Sequence, residues 1–195
     1  TPALNYSGAV PLINCTISDG ANTANSTLTL SINPVNDAPT AIADTDETNE
    51  DVTLNVALTN GVLTNDSDID TGDSLSVVQF KVDNQTITVD PINGGTTTIN
   101  NVGNITMNAD GSYEFVPLLD FNGIVPTITY TVSDGQNSSN TTLILTVNPI
   151  NDAPVAVNDT YGATPGVAID LTVLTNDTDV DNDPLQTTNI ITGPS

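Results

Sequence analysis

The sequence predicts an all-β protein made of antiparallel Greek-key β-sandwiches repeated in tandem, and three observations predict it. The first is internal repetition. Ser18-Asp19-Gly20, Asn33-Pro34-Val35-Asn36-Asp37-Ala38-Pro39 and Ala43-Asp44-Thr45 return at one constant offset as Ser133-Asp134-Gly135, Asn148-Pro149-Ile150-Asn151-Asp152-Ala153-Pro154 and Asn158-Asp159-Thr160. A fixed offset marks copies of one unit, and this unit is far longer than a solenoid repeat, so each copy is expected to own a core. The second is period-two alternation of Val, Ile, Leu and Thr, the mark of strands with one buried face. The third is punctuation: short apolar runs are broken by Gly, Pro, Asn and Asp, and no stretch reads as a helix.

In chain order, the complete copy is expected to hold strands over 40–46, 52–58, 75–82, 85–90, 96–100, 103–108, 112–117, 127–133 and 141–148. Asn108-Ala109-Asp110-Gly111 supplies a tight hairpin turn between two of them, with Gly taking the positive φ. Thr127-Ile128-Thr129-Tyr130-Thr131-Val132 and Thr141-Thr142-Leu143-Ile144-Leu145-Thr146-Val147 alternate most regularly. With the sandwich strands lettered A to G, residues 1–36 are read as strands F and G of one repeat, 37–150 as one complete repeat, and 151–195 as strands A to C of the next. Residues 1–20 align with 116–135, placing Tyr6 at Phe121, Gly8 at Gly123 and Pro11 at Pro126. The last copy has a short deletion before its acidic loop. Pro34 and Pro39, and again Pro149 and Pro154, make the joints stiff rather than freely flexible.

Composition narrows the function. There are 24 acidic residues against one basic residue, Lys81, for a formal charge of −23, with no His and no Trp. Such a surface repels phosphate, which excludes nucleic acid and anionic membranes as partners, and it attracts divalent cations. Disorder is the bland reading of so acidic a chain, but the regular alternation argues against it. Cys15 is the only cysteine, so no intrachain disulfide forms; it is expected to pack as a small core residue. No segment reaches the ~18 apolar residues of a membrane span, so membrane insertion of this segment is not expected. Asn-X-Ser/Thr triplets, as at Asn14, Asn84 and Asn140, are what an Asn- and Thr-rich composition generates by chance.

The placement of the acids carries the functional reading. In a sandwich whose strand A leaves the N-terminal pole, the B–C and F–G loops share that pole with the entering linker. The B–C loop holds Asp66, Asp68, Asp70 and Asp73, the F–G loop holds Asp134, and the linker holds Asn36 and Asp37. The opposite pole carries Glu50, Asp51 and Asp120, facing the next linker, Asn151 and Asp152, and the next acidic loop, Asp177, Asp179, Asp181 and Asp183. Alternating carboxylates on tight loops suit Ca²⁺, which takes six to eight oxygens at ~2.3–2.6 Å in loose geometry. Zinc wants His or Cys. The loop is not an EF-hand, since Thr71 stands at the position that requires Gly. Asp and Asn favour turns in any protein; their convergence from three segments, in two copies, is what singles these out.

The Asn-Asp-Ala-Pro joint, Thr48-Asn49-Glu50-Asp51, Gly61-Val62-Leu63-Thr64-Asn65-Asp66-Ser67-Asp68, Asn108-Ala109-Asp110-Gly111-Ser112-Tyr113, Asp120-Phe121-Asn122-Gly123 and Thr129-Tyr130-Thr131-Val132-Ser133-Asp134-Gly135 together resemble the tandem cadherin-like or immunoglobulin-like repeats of large calcium-dependent bacterial surface adhesins. The resemblance implies an extracellular, cell-surface rod stiffened by calcium. Linker residues Asp37 and Asp152, the Asp68/Asp70 and Asp179/Asp181 pairs, and Glu50, Asp51 and Asp120 carry over as ligands. Asn5 departs from it, standing where the complete copy has Asp120, and residues 85–102 look like an insertion beyond the usual repeat.

An enzyme is not expected: there is no His, no nucleophile beside a base and no phosphate-binding loop, and paired carboxylates in repeated terminal loops are better explained by a domain joint than by glycoside hydrolysis. The expected function is a spacer segment of an adhesin or biofilm-matrix protein, with related repeats, head to tail, as partners. The alternative is the repeating subunit of an extracellular filament, whose split end-domains are completed by strands of neighbouring copies.

Overall fold

The structure, a computed structural model, describes residues 1–189. Strands β1 (Gly8–Ala9), β2 (Ile13–Ser18), β3 (Thr23–Leu28) and β4 (Ser31–Ile32) lie in the first segment. The central sandwich is built from β5 (Asp44–Asn49), β6 (Leu54–Val56), β7 (Ser76–Val82), β8 (Gln85–Thr88), β9 (Gly95–Ile99), β10 (Gly103–Met107), β11 (Tyr113–Pro117), β12 (Gly123–Ile124), β13 (Ile128–Ser133) and β14 (Ser138–Asn148). One sheet runs β6-β11-β10-β9; the other runs β12-β14-β13-β7-β8, with β5 on the free side of β14. The fold class expected from alternation and turn signals is the one observed.

The alternation lands where the periodicity puts it. Ile128, Tyr130 and Val132 of β13, Leu143, Leu145 and Val147 of β14, and Phe80 and Val82 of β7 face inward from one sheet. Ile105 and Met107 of β10, Phe115 of β11 and Ile99 of β9 meet them from the other. The turn at 108–111 forms as expected, with Gly111 at φ 84°. Gly61 packs against it so closely that a Cβ there would lie 2.4 Å from the Gly111 carbonyl oxygen.

Several elements depart from the expectation. The 40–46 strand is split: Thr40 makes an isolated bridge with Ser67, and β5 begins only at Asp44. β5 then pairs in parallel with β14, from Leu143↔Asp44 to Asn148↔Asn49, because both strands leave the same pole. β12 is too short for periodicity to reveal. It continues β13 along one side of β14, with Val125 N–H donating to the Leu145 carbonyl. Residues 85–102 add one edge strand to each sheet, β8 and β9. Cys15 is exposed rather than packed in a core. It lies in the β2–β3 hairpin, all of whose residues are exposed, with no second sheet over it among the described residues.

Polar contacts fasten the entering chain, beside the small apolar contact of Ala41 with the core. Tyr130, buried in β13, reaches out with its hydroxyl to Asp44 Oδ2 at 2.5 Å and to the carbonyls of Val62 at 3.0 Å and Ile42 at 3.3 Å. Burial, then the bond and charge of Asp44, hold this phenol above its ordinary pKa, so it remains a donor. The single O–H proton goes to Asp44 Oδ2, its nearest acceptor, and removing it leaves that partly buried carboxylate oxygen short of a donor, so Tyr130→Phe is expected to lower unfolding stability by about 1–3 kcal/mol. Phe115→Ala, a core cavity with no polar consequence, is expected to cost about 3–5 kcal/mol. Denaturant titration checks both; a Tyr130→Phe variant as stable as the parent would remove this anchor from the account.

Candidate metal centre

The acidic segments meet at the two poles of the central sandwich. At the pole it shares with residues 1–36, Asp68, Asp70 and Asp73 bring carboxylate oxygens within 4.8 Å of one another. Local hydrogen bonds set this loop. Asp68 Oδ1 accepts the Asp70 amide at 2.8 Å, and Asp70 Oδ2 accepts the Asp37 amide at 2.7 Å, tying loop to linker. Asn36 donates to Asp134 Oδ2 at 2.8 Å and accepts from Gln136. Asp134 in turn accepts the amides of Gln136 and Asn137 at 2.6 and 2.7 Å. Those backbone donors, with Asn36, hold the Asp134 carboxyl below its usual value, whereas burial and the fields of Asp68, Asp70 and Asp134 raise that of Asp73. Asp68 Oδ2 is buried without a hydrogen-bond partner. A cavity of about 560 Å³ lies here between Asp37, Asp70 and residues of the first segment, Asn5 among them. Asn5 takes φ 59°, the left-handed conformation that Asp120 takes at 57°.

The opposite pole gathers more charge. Glu50, Asp152 and Asp181 form one carboxylate group, and Asp51, Asp120 and Asp152 a second, each within 4.8 Å, with Asp152 common to both. Glu50 is only 3% exposed. Its Oε1 accepts the Ile150 amide and its Oε2 accepts Asn122 Nδ2 at 3.1 Å. Asp51 Oδ1 accepts the Asp120 amide at 3.0 Å, and Asp181 Oδ2 accepts the Asp152 amide at 2.7 Å.

The third copy repeats the local geometry of the second. Asp152–Asp181 repeats Asp37–Asp70, and the amide of Asp181 to Asp179 Oδ1, at 2.9 Å, repeats that of Asp70 to Asp68. Asn151 bonds the Asp152 carbonyl as Asn36 bonds that of Asp37. Asp66 and Asp177 stand apart from the three carboxylate groups. Each accepts a backbone amide of its own entering segment, Ile42 or Val157, at 2.7 Å. Asp37, Asp134, Asp179 and Asp183 belong to none of the three groups, though each is bonded to a neighbour in the joint. Sequence reasoning missed Asn122, Gln136 and Asn137, which hold Glu50 and Asn36. Polar loop residues of this kind carry no periodic signal.

The donor set is all oxygen, and no cation answers it. The one basic side chain, Lys81, is exposed on β7. A buried carboxylate without a counter-charge is costly, so Glu50 and the orphaned oxygen of Asp68 both fit a site for a hard divalent cation.

The family model for "Bacterial cadherin-like domain" matches residues 36–149, and that for "Bacterial Ig domain" matches residues 151–195. Such domains are typical of extracellular surface proteins. No curated protein sequence matches the chain. Among solved structures, the endo-fucoidan hydrolase MfFcnA9 from glycoside hydrolase family 107 is similar at 16% identity with a TM-score of 0.36, over 75% of this chain and 23% of that one. The endo-fucoidan hydrolase MfFcnA4 is similar at 16% identity with a TM-score of 0.35, over 80% of this chain and 22% of that one. The chain therefore spans less than a quarter of these proteins, and likeness at this level carries nothing about activity.

Burial, then the fields of Asp120, Asp181, Asp51 and Glu50, raise the Asp152 carboxyl above its ordinary value. A carboxyl raised in the folded state stabilises that state fully below its unfolded pKa, and the contribution is lost as pH rises through the raised value. In chelator, moving from about pH 7 towards pH 4 should therefore tighten the joint around Asp152. Asp152→Asn should do the same at neutral pH while weakening cation binding. Amide exchange over residues 149–155 checks this; protection unchanged by both treatments would contradict it.

Proposed function

The chain belongs to the bacterial cadherin-like domain family, and from that premise we propose that it is a non-catalytic spacer of an extracellular adhesin or biofilm-matrix protein, with calcium stiffening its joints. The observation that carries this reading is the double carboxylate group at the second joint, where Asp152 of the linker is shared between acids of two successive units. Ca²⁺ there would be held by Glu50, Asp51, Asp120, Asp152 and Asp181, with Asp179 supporting the loop. At the first joint it would be held by Asp68, Asp70 and Asp73, with Asp37, Asn36 and Asp134 beside them. The ion supplies the positive charge that the chain lacks.

In this reading residues 1–36, 37–150 and 151–195 are parts of three successive repeats. Ile13, Ile17 and Leu28 are 41%, 62% and 52% exposed, whereas the residues at the same repeat positions, Ile128, Val132 and Leu143, are each 0% exposed. In the central sandwich those positions are covered by the second sheet of the same repeat. The partner is a neighbouring repeat, head to tail, from the same polypeptide. The alternative is a filament subunit completed by another copy, and the mass of the native chain separates the two.

Two outcomes are expected. Calcium at a hundredfold excess over Kd should raise stability by about 2.7 kcal/mol per site that binds only the folded state, and chelation should reverse it; an unchanged melting temperature and ion content would sink the calcium reading. Small-angle scattering of a multi-repeat chain should give a stiff rod with calcium and a bent, variable shape without it, because the sandwich core lies away from the joints. Identical profiles would contradict the stiffening role.

A further inference from the structure

We propose that Gln85 is a latch over a pairing edge on β9, and that the strand this edge takes when the latch opens is β9 of a second copy of the chain. The inference concerns the flank of the central sandwich and is independent of the calcium reading of its poles.

Strands β6 and β9 end one sheet of the central sandwich, and β5 and β8 end the other. An unpaired strand edge recruits further strands unless it is short, charged or covered. β6 is three residues long, and β5 carries Asp44, Asp46 and Glu47. β8 is covered at its Thr88 end by β9, which passes so close at Gly95 that a Cβ there would lie 2.9 Å from the Thr88 carbonyl oxygen. β9 has none of these protections along its own edge. Gly94-Gly95-Thr96-Thr97-Thr98-Ile99-Asn100-Asn101 holds no charge and no proline, and its Thr and Ile residues favour extended chain.

One side chain stands guard instead. Gln85, at the start of β8, reaches across the flank and donates through Nε2 to the Thr98 carbonyl at 3.1 Å. Backbone groups along a strand turn alternately to its two sides, so Thr96 turns its amide and carbonyl to the same free edge as Thr98. Beyond the Gln85 bond, these groups have no strand beside them among the described residues. Gln85 also accepts the Thr97 hydroxyl through Oε1 at 2.7 Å. Thr97 is 7% exposed and, with Glu50, is one of the two buried polar residues among those described. The same glutamine therefore satisfies a buried hydroxyl and fills the edge acceptor, fastening one sheet to the other. Charge selects the occupant. Residues 74–109 hold only Asp83 and Asp90 of the 24 acids, together with Lys81. On other sides two copies meet carboxylate to carboxylate. Here two β9 strands pair antiparallel about a two-fold axis, Thr96 opposite Thr98 of the second copy, with no charge in either strand.

Sedimentation velocity and amide exchange on the full chain test this, in saturating Ca²⁺ and with a reductant so that the exposed Cys15 forms no cross-link. In the parent, pairing must first break both Gln85 bonds on each copy. Their usual net worth is about tenfold or more in an equilibrium constant. Gln85→Ala is therefore expected to strengthen self-association by at least about tenfold and to slow exchange at the Thr96 and Thr98 amides. Gln85→Met, which fills the gap without the donor or the acceptor, should do the same with the flank still packed. Adding Thr96→Glu to Gln85→Ala should return association to the parent's level, whereas adding Thr45→Glu on β5 should not. Association no stronger than the parent's in both single variants, or stronger association with those two amides still in fast exchange, would overturn the proposal. So would protection of the amides without a change in mass, which would give the edge to another segment of the same chain. None of these outcomes bears on the calcium reading, which chelation tests separately.

Discussion

Carboxylates crowd at both ends of the central sandwich with no cation of the chain's own to answer them, and the rest of the structure is arranged around that repulsion. Like charges a few ångströms apart repel by about 4 kcal/mol at the effective dielectric of a protein surface. The chain places groups of them within 4.8 Å at each pole and provides a single lysine, exposed on β7. Backbone amides take up part of the charge. The amides of Asp37, Asp70, Asp120, Asp152 and Asp181 each donate to a neighbouring carboxylate. These donors orient the acids and leave other oxygens free. The loops are thereby preorganised, and the cost of that organisation falls on the ion-free state.

The sandwich can carry so unfavourable an end because its core is independent of it. The fully buried side chains lie in β7, β9, β10, β11, β13 and β14, in the Val62 turn and at Val125 between β12 and β13. No carboxylate group of the joints is needed to close them. A repeat built this way keeps its core whether or not its joints hold an ion, so in the proposed role calcium would act on the angle and stiffness between repeats. The charge is a property of the joints and the alternation a property of the domains, and the two vary separately along one chain.

Much of this was legible in the sequence, for identifiable reasons. Strands β13 and β14 were readable because Ile128-Tyr130-Val132 and Leu143-Leu145-Val147 keep period two without interruption. The poles were readable because strand parity alone decides which loops share an end. Other features were hidden. The expected strand over 40–46 reaches only Asp44-Thr45-Asp46; nothing in Asp44-Thr45-Asp46-Glu47-Thr48-Asn49 marks its run to Asn49 or its parallel register, which pairing with β14 far along the chain sets. Asp66 and Asp68 look alike in the acidic loop, yet Asp66 turns to the Ile42 amide and Asp68 to the loop. Cys15 read as a core residue because its strand alternates; its exposure depends on a facing sheet that is absent among the described residues. Glu50 read as one more acid of a polar loop, while its burial comes from the linker folding across it.

Glu50 joins the two halves of the account. One of its oxygens receives the Ile150 amide of the outgoing chain, the other receives Asn122, and its own amide closes the β5–β14 ladder. The same carboxylate is within ligand distance of Asp152 and Asp181 of the next unit. A cation at this position would neutralise a buried charge that otherwise has only neutral donors, and it would do so at the residue that ends the β5–β14 ladder. In the proposed spacer, an ion held by Glu50, Asp152 and Asp181 would tie the linker to the last pair of the β5–β14 ladder, so that one side chain serves both the joint and the domain before it.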